Sequence, residues 1–383
     1  MSAIILTQGQ HLQDAPSALA SPTPPPPDPV FIHALPGASV FARFKAFLKR
    51  HPVIFLALLT PGIPEYLSGS SPFSNIIYNP AWFVLGLLFN LGMYVPGVLL
   101  IREAQIRWKK GWATVLLLGA AYAIVEEGVG LSTMFNPNAS ALGGTGGYGH
   151  YLGVNWVWVP DVMMIHMIFS IGVPLLLFGY AFPELKGKSL LTDKGIQKVA
   201  AILCIDIMLL AIFVWASTKY WMGDGVLFGA LLAIAGLCVL AHWLPSDLFT
   251  ALPGPPTSGP LSFAIAGGVF YVGSILMVSV LENSHEPALL VALSIPLYCF
   301  LFLWWVLLHA GSYRNERQLL AFSFFLILPI IVVGLALQIV APFVIVADLL
   351  AILFFWQMYN RFATSKRNPV TGSPPPPPAV AHV

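Results

Sequence analysis

Two adjacent glutamates, Glu126 and Glu127, end an apolar run that begins at Trp112. Neighbouring carboxyl groups inside a membrane span are costly to bury unless each finds a partner, a proton or water. Such a pair shares protons, because two like charges at short range do not both ionise cheaply. One carboxylate can then act as a base toward water while the other orients it or donates a proton. The pair therefore predicts a functional site inside a membrane.

A histidine on the next apolar run extends this predicted site. His166 falls near the middle of that run, and Ser170 lies one helical turn further on. An imidazole can donate a proton or orient a carboxylate. We therefore predict Glu126, Glu127 and His166 as catalytic residues. A structural histidine, hydrogen-bonded within the protein core, is the alternative interpretation of His166.

The composition requires a membrane. Of 383 residues, 57% are hydrophobic and 9% are charged. A soluble domain of this length needs far more charge on its surface, so the sequence predicts an all-α, polytopic transmembrane helix bundle. The apolar segments long enough, or nearly so, to cross the ~30 Å hydrocarbon layer are 52–67, 81–101, 112–130, 156–178, 199–217, 226–244, 262–281, 289–308, 319–337 and 341–358.

Basic residues predict the orientation of these ten segments. With the N-terminus in the cytoplasm, Lys219 alone of the 18 lysines and arginines falls outside. The positive-inside rule therefore favours ten spans with both termini cytoplasmic, in a multi-pass protein of the cell membrane. The basic residues on the predicted inner side are Arg43, Lys45, Lys49, Arg50, Arg102, Arg107, Lys109, Lys110, Lys186, Lys188, Lys194, Lys198, Arg314, Arg317, Arg361, Lys366 and Arg367.

Four regions follow from this pattern. Residues 51–362 form the predicted membrane domain. Residues 1–38 and 363–383 are polar or proline-rich and are predicted to be disordered cytoplasmic tails. Residues 39–50 mix phenylalanines with basic residues, which is typical of an amphipathic helix on the inner membrane surface.

Further carboxyl groups lie at a similar predicted depth. Counting ~1.5 Å per helical residue places Glu126 and Glu127 about 21 to 23 Å above Trp112. Glu65, Asp161 and Asp348, in three other spans, come out in the same outer half of the bilayer. Together they predict a polar cavity or proton relay that opens outward and also includes Ser170. Each has a structural alternative: a headgroup contact for Glu65, a helix cap for Asp161 and a helix pairing for Asp348.

An apolar helix ending in Glu-Glu, followed by a histidine on the next span, resembles the intramembrane proteases of the CAAX-protease and bacteriocin-processing group. This resemblance covers the third and fourth spans. It implies that Glu126, Glu127 and His166 belong to a catalytic centre in which a glutamate activates water. The chain departs from the family pattern at Leu131, where arginine is expected, and at Val162, where phenylalanine is expected. The third motif of that family has no counterpart.

Two other functions remain open from the sequence. Carboxyl groups and a histidine within the membrane also suit a proton-coupled secondary transporter, and prolines break the first span as in many substrate-binding helices. The polar groups can instead join helices in a non-catalytic scaffold. The lipid bilayer is a predicted partner and nucleic acid is not; a small-molecule or peptide substrate is left open. No zinc motif or cysteine cluster occurs, so neither a metal nor another cofactor is predicted.

Overall fold

The structure is a computed structural model, and it describes residues 46–71, 75–142, 147–283, 286–336 and 344–365. The chain separates into two units, Met1–Phe47 and Leu48–Val383, and the helical bundle belongs to the second. Residues 46–50 are helical. The remainder of the predicted amphipathic helix 39–50, and almost all of both predicted tails, lie outside the described residues.

The bundle consists almost entirely of helices, as the sequence predicts. Proline stands in the first turn of α1 and α3, where a missing N–H group costs no hydrogen bond. The α-helices are α1 (Pro52–Pro61), α2 (Asn75–Tyr78), α3 (Pro80–Arg107), α4 (Trp112–Ala123), α5 (Trp158–Ile165), α6 (Val173–Ala181), α7 (Asp193–Thr218), α8 (Asp224–Trp243), α9 (Pro260–Asn283), α10 (Ala288–Ala310), α11 (Glu316–Ala336) and α12 (Val344–Ser365).

Shorter elements complete the fold. Two 3₁₀ turns occupy Ser140–Leu142 and Pro183–Leu185. The strands β1 (His150–Tyr151) and β2 (Val154–Asn155) pair antiparallel in the loop between the third and fourth predicted spans. Three π-helical segments, Gly62–Leu67, Ile124–Gly130 and His166–Gly172, continue α1, α4 and α5 respectively. We refer to them as the first, second and third π segments.

Every predicted span overlaps a helix, and eight helical stretches among the described residues are long and apolar enough to cross a membrane. The protein is therefore a multi-pass, all-α membrane protein. The first span forms a shorter apolar helix over Pro52–Leu67, and α12 is not among the eight. The exact number of ten spans and the identity of the membrane stay predictions.

Burial separates central helices from peripheral ones. The most apolar stretch of α4 and its π segment is 72% buried inside the protein, whereas those of α7 and α8 are 11% buried. Exposed side chains such as Ile205, Met208 and Phe228 face outward from the peripheral helices. In a bilayer such apolar faces contact lipid, so the polar residues must gather in the central helices.

Side-chain hydrogen bonds join neighbouring helices and loops at each of the two ends of the bundle. At one end, Arg107 binds Asp193 at 2.5 Å, and Lys110 donates to the carbonyl of Leu244 at 2.6 Å. At the other end, Tyr220 donates to the carbonyl of Phe135 at 2.8 Å. Basic residues predicted to be cytoplasmic thus lie together at one end, which we call the basic end, and the loop after the second π segment lies at the other.

This arrangement makes a labelling prediction. In a variant lacking the native cysteines, an impermeant thiol reagent applied to intact cells should label Ala141→Cys, because residues 132–155 face outward in the predicted orientation. The same reagent should label Gly187→Cys, near the basic end, only after the membrane is opened. Labelling of Gly187→Cys alone in intact cells contradicts the predicted orientation.

Candidate functional site

All three π segments within the described ranges carry polar residues predicted from the sequence. The first carries Glu65, the second carries Glu126 and Glu127, and the third carries His166 and Ser170. A π turn widens the helix by one residue and is rare, and it occurs frequently at functional sites. The wide turns alter the directions in which successive side chains leave the helix, so they help to aim these groups at one another.

Glycine permits the wide turn and the close helix packing in the third π segment. A Cβ atom on Gly172 would lie 2.8 Å from the carbonyl oxygen of Met167, which is closer than two such atoms can approach. A Cβ atom on Gly119 of α4 would lie 3.0 Å from the Cα atom of the same Met167. The absent side chain at Gly119 therefore lets the helix of the two glutamates approach the helix of the histidine.

The two glutamates face opposite nitrogen atoms of one imidazole ring. The Nδ1 atom of His166 lies 3.4 Å from Oε2 of Glu126, and its Nε2 atom lies 3.5 Å from Oε1 of Glu127. The Ser170 hydroxyl lies 3.0 Å from the same Nδ1 atom. Glu126 and His166 are 1% and 2% exposed, whereas the Glu127 side chain retains 14% exposure. The structure thus brings together the group predicted as catalytic.

Glu127 is fixed by groups from the loop and from the next span. Thr133 donates its hydroxyl hydrogen to Oε2 of Glu127, and Trp158 donates from its indole nitrogen to the Thr133 oxygen at 3.1 Å. Since Oε2 is held in this way, the other oxygen atom is left to face His166. Hydrogen bonds to a carboxylate oxygen restrict the rotation of the carboxyl group.

Glu126 has a different environment. Its Oε2 atom is buried and makes no hydrogen bond to any residue in the described part of the chain. It interacts electrostatically with His166, with Glu127 and with Tyr94. The buried hydroxyl of Tyr122, whose ring meets His166 edge-on at 5.8 Å, also lacks a hydrogen-bond partner among the described residues. A buried acceptor and a buried donor are therefore available to a water molecule or a substrate.

Glu65 joins this group from the first span. The Tyr94 hydroxyl donates to Oε1 of Glu65 at 2.8 Å, and the Ser71 hydroxyl donates to Oε2 at 2.9 Å. The Tyr94 ring is stacked against the His166 ring with centroids 6.4 Å apart. Glu65 also interacts electrostatically with His166 and Glu127. The prediction that Glu65 shares a polar region with the glutamate pair agrees with this geometry.

Asp161 and Asp348 lie elsewhere. Asp161 is on α5 and interacts electrostatically with Cys299 of α10. Asp348 is fully buried on α12, and its carboxyl oxygens have no hydrogen-bond partner among the residues that the structure describes. Neither residue is in hydrogen-bond or ion-pair contact with Glu126, Glu127 or His166 within those residues. Their place in a relay stays a prediction.

The sequence analysis missed several groups around the centre. Tyr94 and Tyr122 contact His166, and Thr133 anchors Glu127. It also missed Asp206, which lies in the middle of α7 against Gly92 of α3; a Cβ atom on that glycine would lie 2.3 Å from the Asp206 carboxylate. An aspartate between two isoleucines in an apolar run indicates a polar contact inside the membrane. This signal in the sequence could have identified Asp206.

The same centre has the donor atoms of a metal site. One ligand atom from each of Glu126, Glu127 and His166 lies within 4.8 Å of the other two. Carboxylates and imidazoles both ligate zinc, and three protein ligands leave a fourth position for water, although two carboxylates with one imidazole differ from the His₃ and His₂Glu sets usual in zinc hydrolases. These three residues would hold such an ion, although the sequence analysis predicted none. A chelator is therefore included in the functional test below.

The comparisons with known proteins add no relative: no protein-family model, no curated protein and no solved structure matches this chain.

Proposed function

We propose that this protein is a membrane-embedded hydrolase that cleaves peptide bonds and depends on its paired glutamates, as in the CAAX-protease and bacteriocin-processing group. The observation that carries the proposal is the position of His166 between the carboxyl groups of Glu126 and Glu127. An imidazole between two carboxylates in a buried site can accept, hold and return a proton during bond cleavage.

The geometry supports distinct roles for the two glutamates. Glu126 acts as the general base, because its buried Oε2 atom has no hydrogen-bond partner among the described residues and can accept a proton from water. Glu127 orients His166 through Nε2, since its own second oxygen is held by Thr133. A proton on Nε2 leaves Nδ1 as the acceptor for the hydroxyl of Ser170.

Bond cleavage then follows from these positions. Glu126 removes a proton from water, and the hydroxide attacks the carbonyl carbon of the peptide bond. The buried Tyr122 hydroxyl, which has no hydrogen-bond partner among the described residues, can donate to the oxygen that becomes negative. Protonated Glu126 then returns its proton to the leaving amine, so that one water is consumed and a carboxylic acid and an amine are released.

A proton-coupled transporter is the second candidate. The observation that favours it is the change in the first span, where α1 becomes a π segment at Gly62, close to the half-buried Glu65. Transporters bind their substrates at discontinuous helices. Transport requires the substrate to remain intact, so the fate of the substrate separates the two candidates.

The test uses the full-length protein in sealed liposomes with synthetic peptides of about 20 apolar residues, long enough to span the bilayer. If the protein is a hydrolase, mass spectrometry should detect two product peptides, and their rate of formation should be proportional to the amount of protein. Addition of EDTA separates metal-dependent from metal-independent cleavage. Intact peptides throughout, together with a pH-dependent flux of a solute through the same liposomes, would reject the hydrolase and support the transporter.

A further inference from the structure

A polar pocket lies between the end of the first π segment and the start of α3. Its volume is about 470 Å³, within the range of small-ligand sites. Its walls include Ser70, Ser71, Asn75 and Asn79. Glu126, Glu127 and His166 do not line it, so it is distinct from the candidate catalytic centre.

The chemistry of the walls defines what the pocket can hold. Among the described residues, the lining contains no Asp, Glu, Lys, Arg or His side chain. Serine hydroxyls and asparagine amides both donate and accept hydrogen bonds, as backbone amides require. The rings of Tyr66, Trp82 and Phe83 add flat apolar surfaces. An ion bound here would lose water without gaining a countercharge, so these walls favour an uncharged peptide segment.

Hydrogen bonds connect this pocket to the candidate centre. Ser71 lines the pocket, accepts from the Asn90 amide at 3.2 Å and donates to Glu65 at 2.9 Å. Glu65 in turn accepts from Tyr94, whose ring is stacked against His166. A chain of contacts through Ser71, Glu65 and Tyr94 therefore links the pocket to His166 of the candidate centre.

We propose that this pocket binds a short uncharged segment at one end of a membrane-spanning peptide substrate and thereby places the spanning part against the catalytic centre. The assignment rests on the proposed hydrolase function for its substrate class. The pocket lies at the opposite end of α3 from Arg107, which places it at the predicted outer side of the membrane. It selects substrates by the absence of charge at that end.

The chain offers a direct way to fill the pocket. Gly86 lines it, and a Cβ atom added there has no other atom within 4 Å, so we expect the ring of Gly86→Phe to extend into the pocket without displacing the backbone. Gly229 of α8 also has open space around it but lies outside the pocket, so Gly229→Phe is the matched control. Asn79→Asp and Asn79→Lys add opposite charges to the wall.

The experiment measures binding of fluorescent spanning peptides to the full-length protein in liposomes. The peptides share one apolar core and carry a flank of Gly-Ser-Asn-Ala, Gly-Asp-Asp-Ala or Gly-Lys-Lys-Ala at the outer end. We expect the neutral flank to bind about tenfold or more tightly than either charged flank, and Gly86→Phe to weaken it by a similar factor. Asn79→Asp should improve binding of the lysine flank, and Asn79→Lys should improve binding of the aspartate flank.

This design separates failure of the pocket assignment from failure of the proposed hydrolase function. Equal binding of the three flanks, or equal effects of Gly86→Phe and Gly229→Phe, would overturn the pocket assignment. Selective binding of the neutral flank without any product peptide would keep the pocket and reject the hydrolase. Cleavage that is indifferent to both the flank and Gly86→Phe would keep the hydrolase and reject the pocket.

Discussion

Replacing Glu126 with glutamine should lower the rate of peptide cleavage by ~100- to 10,000-fold, the usual contribution of a general base. Glutamine keeps the size of the side chain and most of its hydrogen-bonding capacity, and it removes only the ability to take up a proton. Substrate binding should therefore remain close to that of the wild type. The measurement is the turnover rate in liposomes alongside the dissociation constant of the same peptide.

Turnover and melting temperature, measured together, separate a functional role of the glutamates from a structural one. Glu126 is buried and its Oε2 atom has no hydrogen-bond partner among the described residues, so neutralising it should leave the melting temperature unchanged or raise it. Glu127→Gln should also lower turnover, because the loss of charge weakens its hold on His166. Glu184→Gln, at an exposed position, serves as the control and should change neither quantity. Wild-type turnover in both single variants and in the double variant would rule out the catalytic role.

Gly119→Leu should lower the proposed peptide cleavage although Gly119 carries no side chain that could react. A side chain at Gly119 would meet the backbone of Met167 at 3.0 Å and force α4 away from the third π segment. Overpacking of this kind costs ~1–3 kcal/mol. It would also separate the glutamates from His166, and small displacements of catalytic groups cause large losses of rate. Both the melting temperature and turnover should fall.

The control for this prediction is Gly229→Leu. Gly229 also lies within an apolar helix, but a side chain there meets open space, so stability and turnover should be preserved. Gly119→Ala provides a graded test, because its single methyl group demands a smaller displacement and should cost less than leucine. A Gly119→Leu variant with wild-type turnover would show that the close approach of these two helices does not position the site.

Composition and apolar periodicity predicted the helices well, because a bilayer allows few alternatives to long apolar helices. Glu126, Glu127 and His166 could be identified as candidates, because ionisable groups in apolar spans are rare, but the sequence left open whether they meet in space. The π segments were not predictable. Whether a turn closes with one extra residue depends on packing between helices, such as the close approach of Gly119 on α4 to Met167 in the third π segment, and not on local composition.

The remaining differences arise because the depth of a residue can be counted along its helix, whereas the direction of its side chain cannot. Counting residues along a helix gave Asp161 a height similar to that of Glu126, but in the structure it interacts electrostatically with Cys299 on another helix. The height of a residue follows from the helical rise, whereas its direction depends on how the helices pack. Tyr94 and Thr133 were missed for the same reason, because a tyrosine in a span or a threonine in a loop has no recognisable role until its neighbours are known.

The most direct test of the catalytic centre is hydrolysis of a spanning peptide in water enriched with ¹⁸O. Since Glu126 is proposed to activate water, each cleavage should place one ¹⁸O atom in the new terminal carboxyl group, as measured by mass spectrometry. The labelled product should form with the wild-type protein and with Glu184→Gln, and fall to the background level with Glu126→Gln. A peptide that stays intact with the wild-type protein, or labelled product that forms at the same rate with Glu126→Gln, would contradict this account.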